Sequence, residues 1–288
     1  MDTSLISAYF IFAAFAFGAA AGSFLNVVAL RIIAGEQFLR GRSHCPACGK
    51  TLSWFELIPL VSFIALRGRC RRCREPISLR YFLVELGMGA YVVLLANYFL
   101  FSMSGTSPFP FISTYFGAAA PYFNVFLYLI VGAIAAVIFL IDYDTKLIAI
   151  GPLRFTALVG VVLLIAESLA GSGGAAPQIF SLLALSQILL AIAIALFFGL
   201  VWLITRGKGM GLGDAELAGA LALYLVYPQA IVMVLAAFWV GAVWGLGLML
   251  FAGYGRKSQI PFGPFIILGF AVALFWGKAL LPYLMPLI

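Results

Sequence analysis

Charge is scarce in this sequence. Among 288 residues there are 10 acidic and 17 basic side chains, and only 9% of positions are charged. Globular soluble domains carry about 25% charged residues, so a soluble domain of this length is excluded. The other side of that scarcity is a 65% hydrophobic composition and a mean hydropathy of +1.14. Together they indicate a polytopic membrane protein. Lys and Arg are absent from the first residues, and no clear A-x-A cleavage site follows a short apolar core. The first hydrophobic run is therefore expected to be a retained helix instead of a cleaved signal. No internal repeat and no long linker stand out. The net charge of +7 does not point to nucleic acid, because 10 of the 17 basic residues lie between Arg31 and Arg80 and the rest track membrane topology.

A window of about 20 residues predicts eight membrane helices. They fall near 6–33, 82–102, 122–141, 154–170, 179–205, 214–227, 229–253 and 264–286. The sixth, opening at Asp214, is barely long enough to cross. The expected organisation is a first helix over 1–33, a polar segment over 34–81 and a helix bundle over 82–288. The loops near 103–121 and 171–178 hold no Lys or Arg, whereas Lys146, Arg154, Arg206, Lys208, Arg256 and Lys257 all fall on the side of the 34–81 segment. By the positive-inside rule that side is cytoplasmic, with only Lys278 as an exception. The loop near 103–121 is rich in Ser, Pro and Phe and is expected along the membrane surface. Gly241 and Gly245 form a G-x-x-x-G that reads as helix packing.

All four cysteines lie in the polar segment, as Cys45-Pro-Ala-Cys48 and Cys70-Arg-Arg-Cys73, with 21 residues between the pairs. Two such knuckles supply four thiolates to one tetrahedral Zn²⁺. Gly49 and Gly68 flank them, as tight turns require. Two disulfides or four free thiols are the alternatives. A reducing compartment argues against disulfides, and a basic stretch this short has too little apolar content to fold without a staple. A site with four protein ligands is closed, hence structural. His44 reads as a solvated neighbour.

The other candidate centre is a pair of carboxylates. Asp142 stands in Ile141-Asp-Tyr-Asp-Thr-Lys146, and Asp214 ends Gly209-Met-Gly-Leu-Gly-Asp214. Each sits at the mouth of a membrane helix, where an ionisable residue is costly and marks function by default. An even number of crossings separates them, so both face the same side. If they meet, they share one proton, and the ionised one activates water while the neutral one protonates the substrate carbonyl. Gly211 and Gly213 would let substrate approach the backbone, and Asp144 is assigned a supporting role. The plain alternatives are a helix-closing Asp142 and an Asp214 that caps its helix, with Glu216 in the first turn favoured by the dipole. Glu85 opens the second helix, where dipole and functional roles both remain open.

The motifs together resemble the prepilin peptidases of type IV pilus and type II secretion systems. The resemblance rests on Gly22-Ser-Phe-Leu-Asn-Val-Val28, Trp54-Phe-Glu-Leu-Ile-Pro-Leu60, Ile77-Ser-Leu-Arg-Tyr81 running into Val84-Glu-Leu86, the G-x-G-D ending at Asp214, and Ile260-Pro-Phe-Gly-Pro264. It departs at Leu147-Ile-Ala-Ile150, where members often place a proline, and at Phe82, where proline usually follows Arg-Tyr.

The resemblance implies a bacterial inner-membrane aspartic endopeptidase. It would remove the basic leader of a type IV prepilin or pseudopilin, between a Gly and a Phe, with Asp142 and Asp214 as the catalytic pair. It also implies N-methylation of the new terminus with S-adenosylmethionine as donor. No G-x-G-x-x-G follows a strand, so a donor site is not of the usual soluble kind. A basic leader must approach a basic segment, where Glu36, Glu56, Glu75 or anionic lipid would receive it. A proton-coupled transporter using the aspartates as a relay is the alternative from another class. A zinc-bearing scaffold without chemistry is a third.

Overall fold

Apolar stretches surrounded by lipid have no water to pair their N–H and C=O groups, so they satisfy them internally as helices. The computed structural model of this chain follows that rule and describes residues 3–37, 41–101, 109–170, 177–251 and 260–284. Among them, seven helices are long and apolar enough to cross a membrane. The chain divides into two compact units, Met1–Ser102 and Met103–Ile288.

The first unit is built on α1 (Thr3–Ala34), the short α2 (Val61–Ala65) and α3 (Leu79–Ala96), which runs on as a π turn over Asn97–Phe101. α3 starts three residues before the expected 82. Ser78 is its N-cap, and its side chain accepts from the Arg80 N–H. Arg80 depresses the hydropathy there, which hid the start. α1 and α3 pack through glycines. A Cβ on Gly18 would lie 2.5 Å from the Met88 carbonyl oxygen, and one on Gly22 2.8 Å from that of Val84. In lipid, where no hydrophobic force joins helices, such close backbone contact is what holds a pair. One turn beyond Gly22 the buried Asn26 accepts a 2.8 Å hydrogen bond from Arg80 Nε. Gly22 and Asn26 thus have a packing reason for their places in the first motif.

The second unit begins with α4 (Pro110–Phe116), inside the stretch expected as a surface loop; residues 103–108 of that stretch lie outside the described set. Then come α5 (Ala120–Thr145), α6 (Ile150–Ala170), α7 (Pro177–Thr205), α8 (Leu212–Ala222), α9 (Gln229–Phe251) and α10 (Gly263–Leu284). α8 corrects the expected sixth helix. It starts at Leu212, not Asp214, and its 11 residues do not make a span. It is packed against α6, α7 and α10. Small residues allow this, since a Cβ on Gly219 would meet Ala195 Cβ at 2.9 Å. The G-x-x-x-G expectation also becomes concrete, because Gly241 of α9 faces the Phe265 ring of α10.

Stopping α8 at Ala222 leaves non-helical backbone among apolar helices, which is tolerated only where protein groups satisfy it. Two buried polar side chains face it. Gln187 of α7 donates to the Leu223 and Leu225 carbonyls at 3.2 and 2.6 Å. Tyr128 of α5 donates to the Tyr224 carbonyl, and Tyr224 in turn donates to the Thr156 carbonyl at 2.7 Å. Replacing Gln187 by Met keeps the volume but strips two carbonyls of their donor, at about 1–3 kcal/mol for each group left unsatisfied. The Gln187→Met protein is expected to melt at a clearly lower temperature in detergent. An unchanged melting curve would show that the Gln187 bonds carry no stability.

Candidate functional site

Asp142 sits in the last turn of α5, and its side chain is buried. The helix stops just beyond it for a local reason. Lys146 adopts a left-handed conformation with φ +57°, and its N–H closes on the Asp142 carbonyl at 2.8 Å. Thr145 folds its hydroxyl back on the Ile141 carbonyl at 2.8 Å. Asp142 Oδ2 is buried and has no hydrogen-bond donor among the described residues.

Asp214 is also buried, on α8. It is not the N-cap. Gly211 holds that position and Asp214 is the third helical residue, reaching back to accept the Gly211 N–H at 2.8 Å. Glu216 lies beyond the first turn and is exposed.

The two carboxylates converge on the start of α10. A Cβ on Gly263 would lie 2.5 Å from Asp142 Oδ2 and 3.6 Å from Asp214 Oδ1. The site therefore lies where the N-termini of α8 and α10 meet, and both helix dipoles favour negative charge there. Phe262, one residue earlier, is locked in an aromatic cluster. Its ring is 5.3 Å from Phe238 and 6.0 Å from Phe198, and these two stack at 5.6 Å with planes 3° apart. That packing fixes where Gly263 presents its N–H.

Sequence reading named the Ile260–Pro264 segment but gave Gly263 no role. A glycine after Pro-Phe and before Pro, at a helix start, was the available signal. Gly263→Ala pushes a methyl group into Asp142. A misplacement of about 1 Å costs an enzyme on the order of 10²-fold, so turnover is expected to fall by roughly that factor while the protein still folds. Full activity in the alanine variant would mean the carboxylates are placed differently.

The G-x-G-D glycines act through close approach. None of Gly209, Gly211 and Gly213 is left-handed; that conformation falls on Arg206 and Gly207 in the preceding turn. Gly213 lets α8 pack on the loop after α5, since its Cβ would lie 3.1 Å from Ile148 Cβ. Asp144 is exposed and not part of the buried pair.

The four cysteine sulphurs, in the first unit, lie within 4.8 Å of one another, with Cys45 and Cys73 Sγ 3.8 Å apart. Zn–S bonds of about 2.3 Å in a tetrahedron put sulphurs about 3.8 Å apart, so the cluster fits zinc. No pair is bonded as a disulfide. The knuckles are near copies. Cys45 N–H bonds to the Lys50 carbonyl at 2.9 Å as Cys70 N–H does to that of Glu75 at 2.8 Å. The left-handed residue is Gly49 (φ +68°) in one and Arg74 (φ +59°) in the other. Gly68 is thus not the partner of Gly49, although it too is left-handed. His44 is exposed and outside the cluster.

Two acidic residues of this unit have structural partners. Glu56 accepts from the Ser53 N–H at 2.8 Å and from Lys50 Nζ at 2.9 Å, and these hold its carboxyl below the ordinary value. Glu85 is not at the start of its helix. It is the seventh residue of α3, buried, and accepts the Leu60 N–H at 2.7 Å. Leu60, with φ +61°, forms the centre of a tight turn closed by Val61 N–H on the Pro59 carbonyl at 2.6 Å.

Residues 16–99 match the bacterial peptidase A24 N-terminal domain, and residues 129–246 match the type IV leader peptidase family. Both aspartates lie in the second match. Curated relatives carry the name prepilin leader peptidase/N-methyltransferase. That of Aeromonas hydrophila is 30% identical over 242 residues, covering 83% of this chain and 73% of the relative. That of Stutzerimonas stutzeri is 28% identical, with 93% and 91% covered. A third, from Myxococcus xanthus, is 52% identical over 93 residues, which is 31% of this chain and 28% of the relative. No solved structure matches significantly.

Proposed function

The chain belongs to the type IV leader peptidase family, and from that premise we propose that it is a membrane aspartic endopeptidase with Asp142 and Asp214 as its catalytic pair. Its substrate is a type IV prepilin or pseudopilin, a reading supported by the relatives' names, which specify prepilin, and by the resemblance. The observation that carries the reading is the convergence of two buried carboxylates on the Gly263 backbone. Two such groups share one proton at neutral pH. The ionised carboxylate takes a proton from water, whose oxygen attacks the scissile carbonyl. The neutral carboxyl protonates the carbonyl oxygen; as the C–N bond of the tetrahedral intermediate breaks, the first carboxyl gives its proton to the departing amine and the second takes one back from the diol, releasing leader and mature terminus. Asp142 Oδ2, without a donor among the described residues, has its acceptor capacity open to a proton or a water.

Zinc in the Cys45, Cys48, Cys70 and Cys73 cluster has four protein ligands and no open position, so its role is to hold the segment together. Methylation of the new terminal amine is inferred from the relatives' names, with S-adenosylmethionine as methyl donor on the strength of the resemblance. The basic residues put the zinc segment and the aspartates on the cytoplasmic side of a bacterial inner membrane. Of the three acidic residues able to meet a basic leader, Glu56 is buried against Lys50 and Ser53, which leaves the exposed Glu36 and Glu75. The transporter alternative is not favoured, because the family and the relatives' names are those of peptidases.

The test is incubation of a purified prepilin with the detergent-solubilised protein, read by mass spectrometry. Loss of the leader is expected, and a further gain of one methyl group when S-adenosylmethionine is supplied. An intact prepilin would overturn the peptidase assignment, and a trimmed but never methylated product the second activity.

A further inference from the structure

The stretch between the two zinc knuckles is the strangest surface of the first unit. Trp54 is 78% exposed, Val61 60% and Ile64 65%, and Phe55, Leu57 and Ile58 are exposed beside them. Residues 51–66 contain one charged side chain, Glu56, which is 2% exposed and paired with Lys50. A soluble loop does not present so many apolar side chains without a partner.

The position of the stretch identifies that partner. The Leu60 turn is bonded to Glu85, six residues into α3. At 1.5 Å per residue that is roughly 9 Å below the start of the helix. The span containing α3 runs over Leu79–Leu100, 22 residues. That is about 33 Å, against about 30 Å of hydrocarbon, so the span has little length to spare. The Leu60 turn therefore sits inside the level at which α3 enters lipid. Phe63 of α2 reinforces the attachment by packing on Phe82 of α3, with ring centroids 5.4 Å apart. Beyond the apolar stretch, Arg67, Arg69, Arg71, Arg72 and Arg74 carry five positive charges, and the Arg71 guanidinium lies 5.1 Å from the centre of the Phe55 ring.

We propose that residues 54–65 form an interfacial membrane segment, with Trp54, Leu57, Val61 and Ile64 immersed at the acyl–headgroup boundary and the arginines on anionic phospholipid headgroups. Interfacial segments bury their apolar face about 5–10 Å deep, which is the depth the Glu85 bond imposes. Trp is the residue favoured at that level, and juxtamembrane arginines add attraction to anionic lipid. The zinc cluster then lies against the bilayer surface, held from below by its own loop. The inference rests on α3 crossing the membrane and stands or falls independently of the peptidase reading.

The experiment places a benzophenone amino acid at position 54, 61 or 64 of the full chain, with position 47 as control. The protein is reconstituted in vesicles of phosphatidylethanolamine and phosphatidylglycerol, irradiated, and weighed intact by mass spectrometry. Zinc content per chain checks that each variant is folded. Phospholipid adducts are expected at 54, 61 and 64 and not at 47, with phosphatidylglycerol over-represented. Folded variants without adducts at 54, 61 and 64 would overturn the proposal. So would adducts that form with an added prepilin in place of lipid, which would make this face a peptide surface. Adducts in bulk lipid proportion would overturn the role of the arginines.

Discussion

Asparagine at position 142 or 214 is expected to leave a folded protein that no longer removes a prepilin leader. The amide preserves size and polarity but can neither take a proton from water nor share one with its neighbour. General acid–base groups contribute about 10²–10⁴-fold each. Here the two carboxylates work on one proton, so either loss removes the whole device. The Asp142→Asn and Asp214→Asn single variants should therefore be about as inactive as the double variant, since effects of groups acting as a unit do not add. Cleavage rates from mass spectrometry, with melting curves as a check on folding, decide the matter. Appreciable cleavage by either single variant would place the chemistry elsewhere. The Asp144→Asn variant serves as a control, because Asp144 is exposed and not part of the buried pair.

Serine in place of Cys45 or Cys70 has the next largest expected effect, on folding instead of chemistry. Structural zinc bound by four thiolates is worth about 10–16 kcal/mol to a small domain. The segment has nothing of comparable size to fall back on. Its buried apolar side chains among residues 41–78 are Cys45 and Cys70 themselves, and its larger apolar residues are exposed or only half-buried. Zinc per chain is expected to fall from one to none, and trypsin should then cut among Arg67, Arg69, Arg71, Arg72 and Arg74 while the membrane helices stay protected. A serine variant that keeps its metal and its resistance to trypsin would refute the structural role.

Much of this was legible in the sequence because its causes are local. A 20-residue apolar run becomes a helix whatever lies beside it, and a C-x-x-C knuckle closes on its own backbone. Two of the places where the structure departs from the expectation were decided by a distant residue. α8 was expected to cross the membrane because its apolar residues run without a break toward those of α9. It stops at Ala222, where Gln187 and Tyr128 from other helices donate to the carbonyls of the buried non-helical backbone and the Tyr224 hydroxyl bonds to the Thr156 carbonyl. Glu85 read as a residue at a helix start because its contact with Leu60 spans 25 residues. Arg74 hid the second left-handed turn, because arginine at that conformation is uncommon and no pattern announces it.

By itself the amino-acid sequence determined that this protein is helical and membrane-bound, that its four cysteines form two matched knuckles, and that Asp142 and Asp214 stand out among very few acids. Hydropathy, knuckle spacing and scarcity of charge act within a few residues, so they are written in local order. Only the tertiary structure decided that the two carboxylates meet, and that they meet at Gly263. That meeting depends on three separate helix ends, on the aromatic packing that seats Phe262, and on glycines that let α8 approach its neighbours. These are contacts between residues far apart along the chain, chosen by shape after the helices have formed.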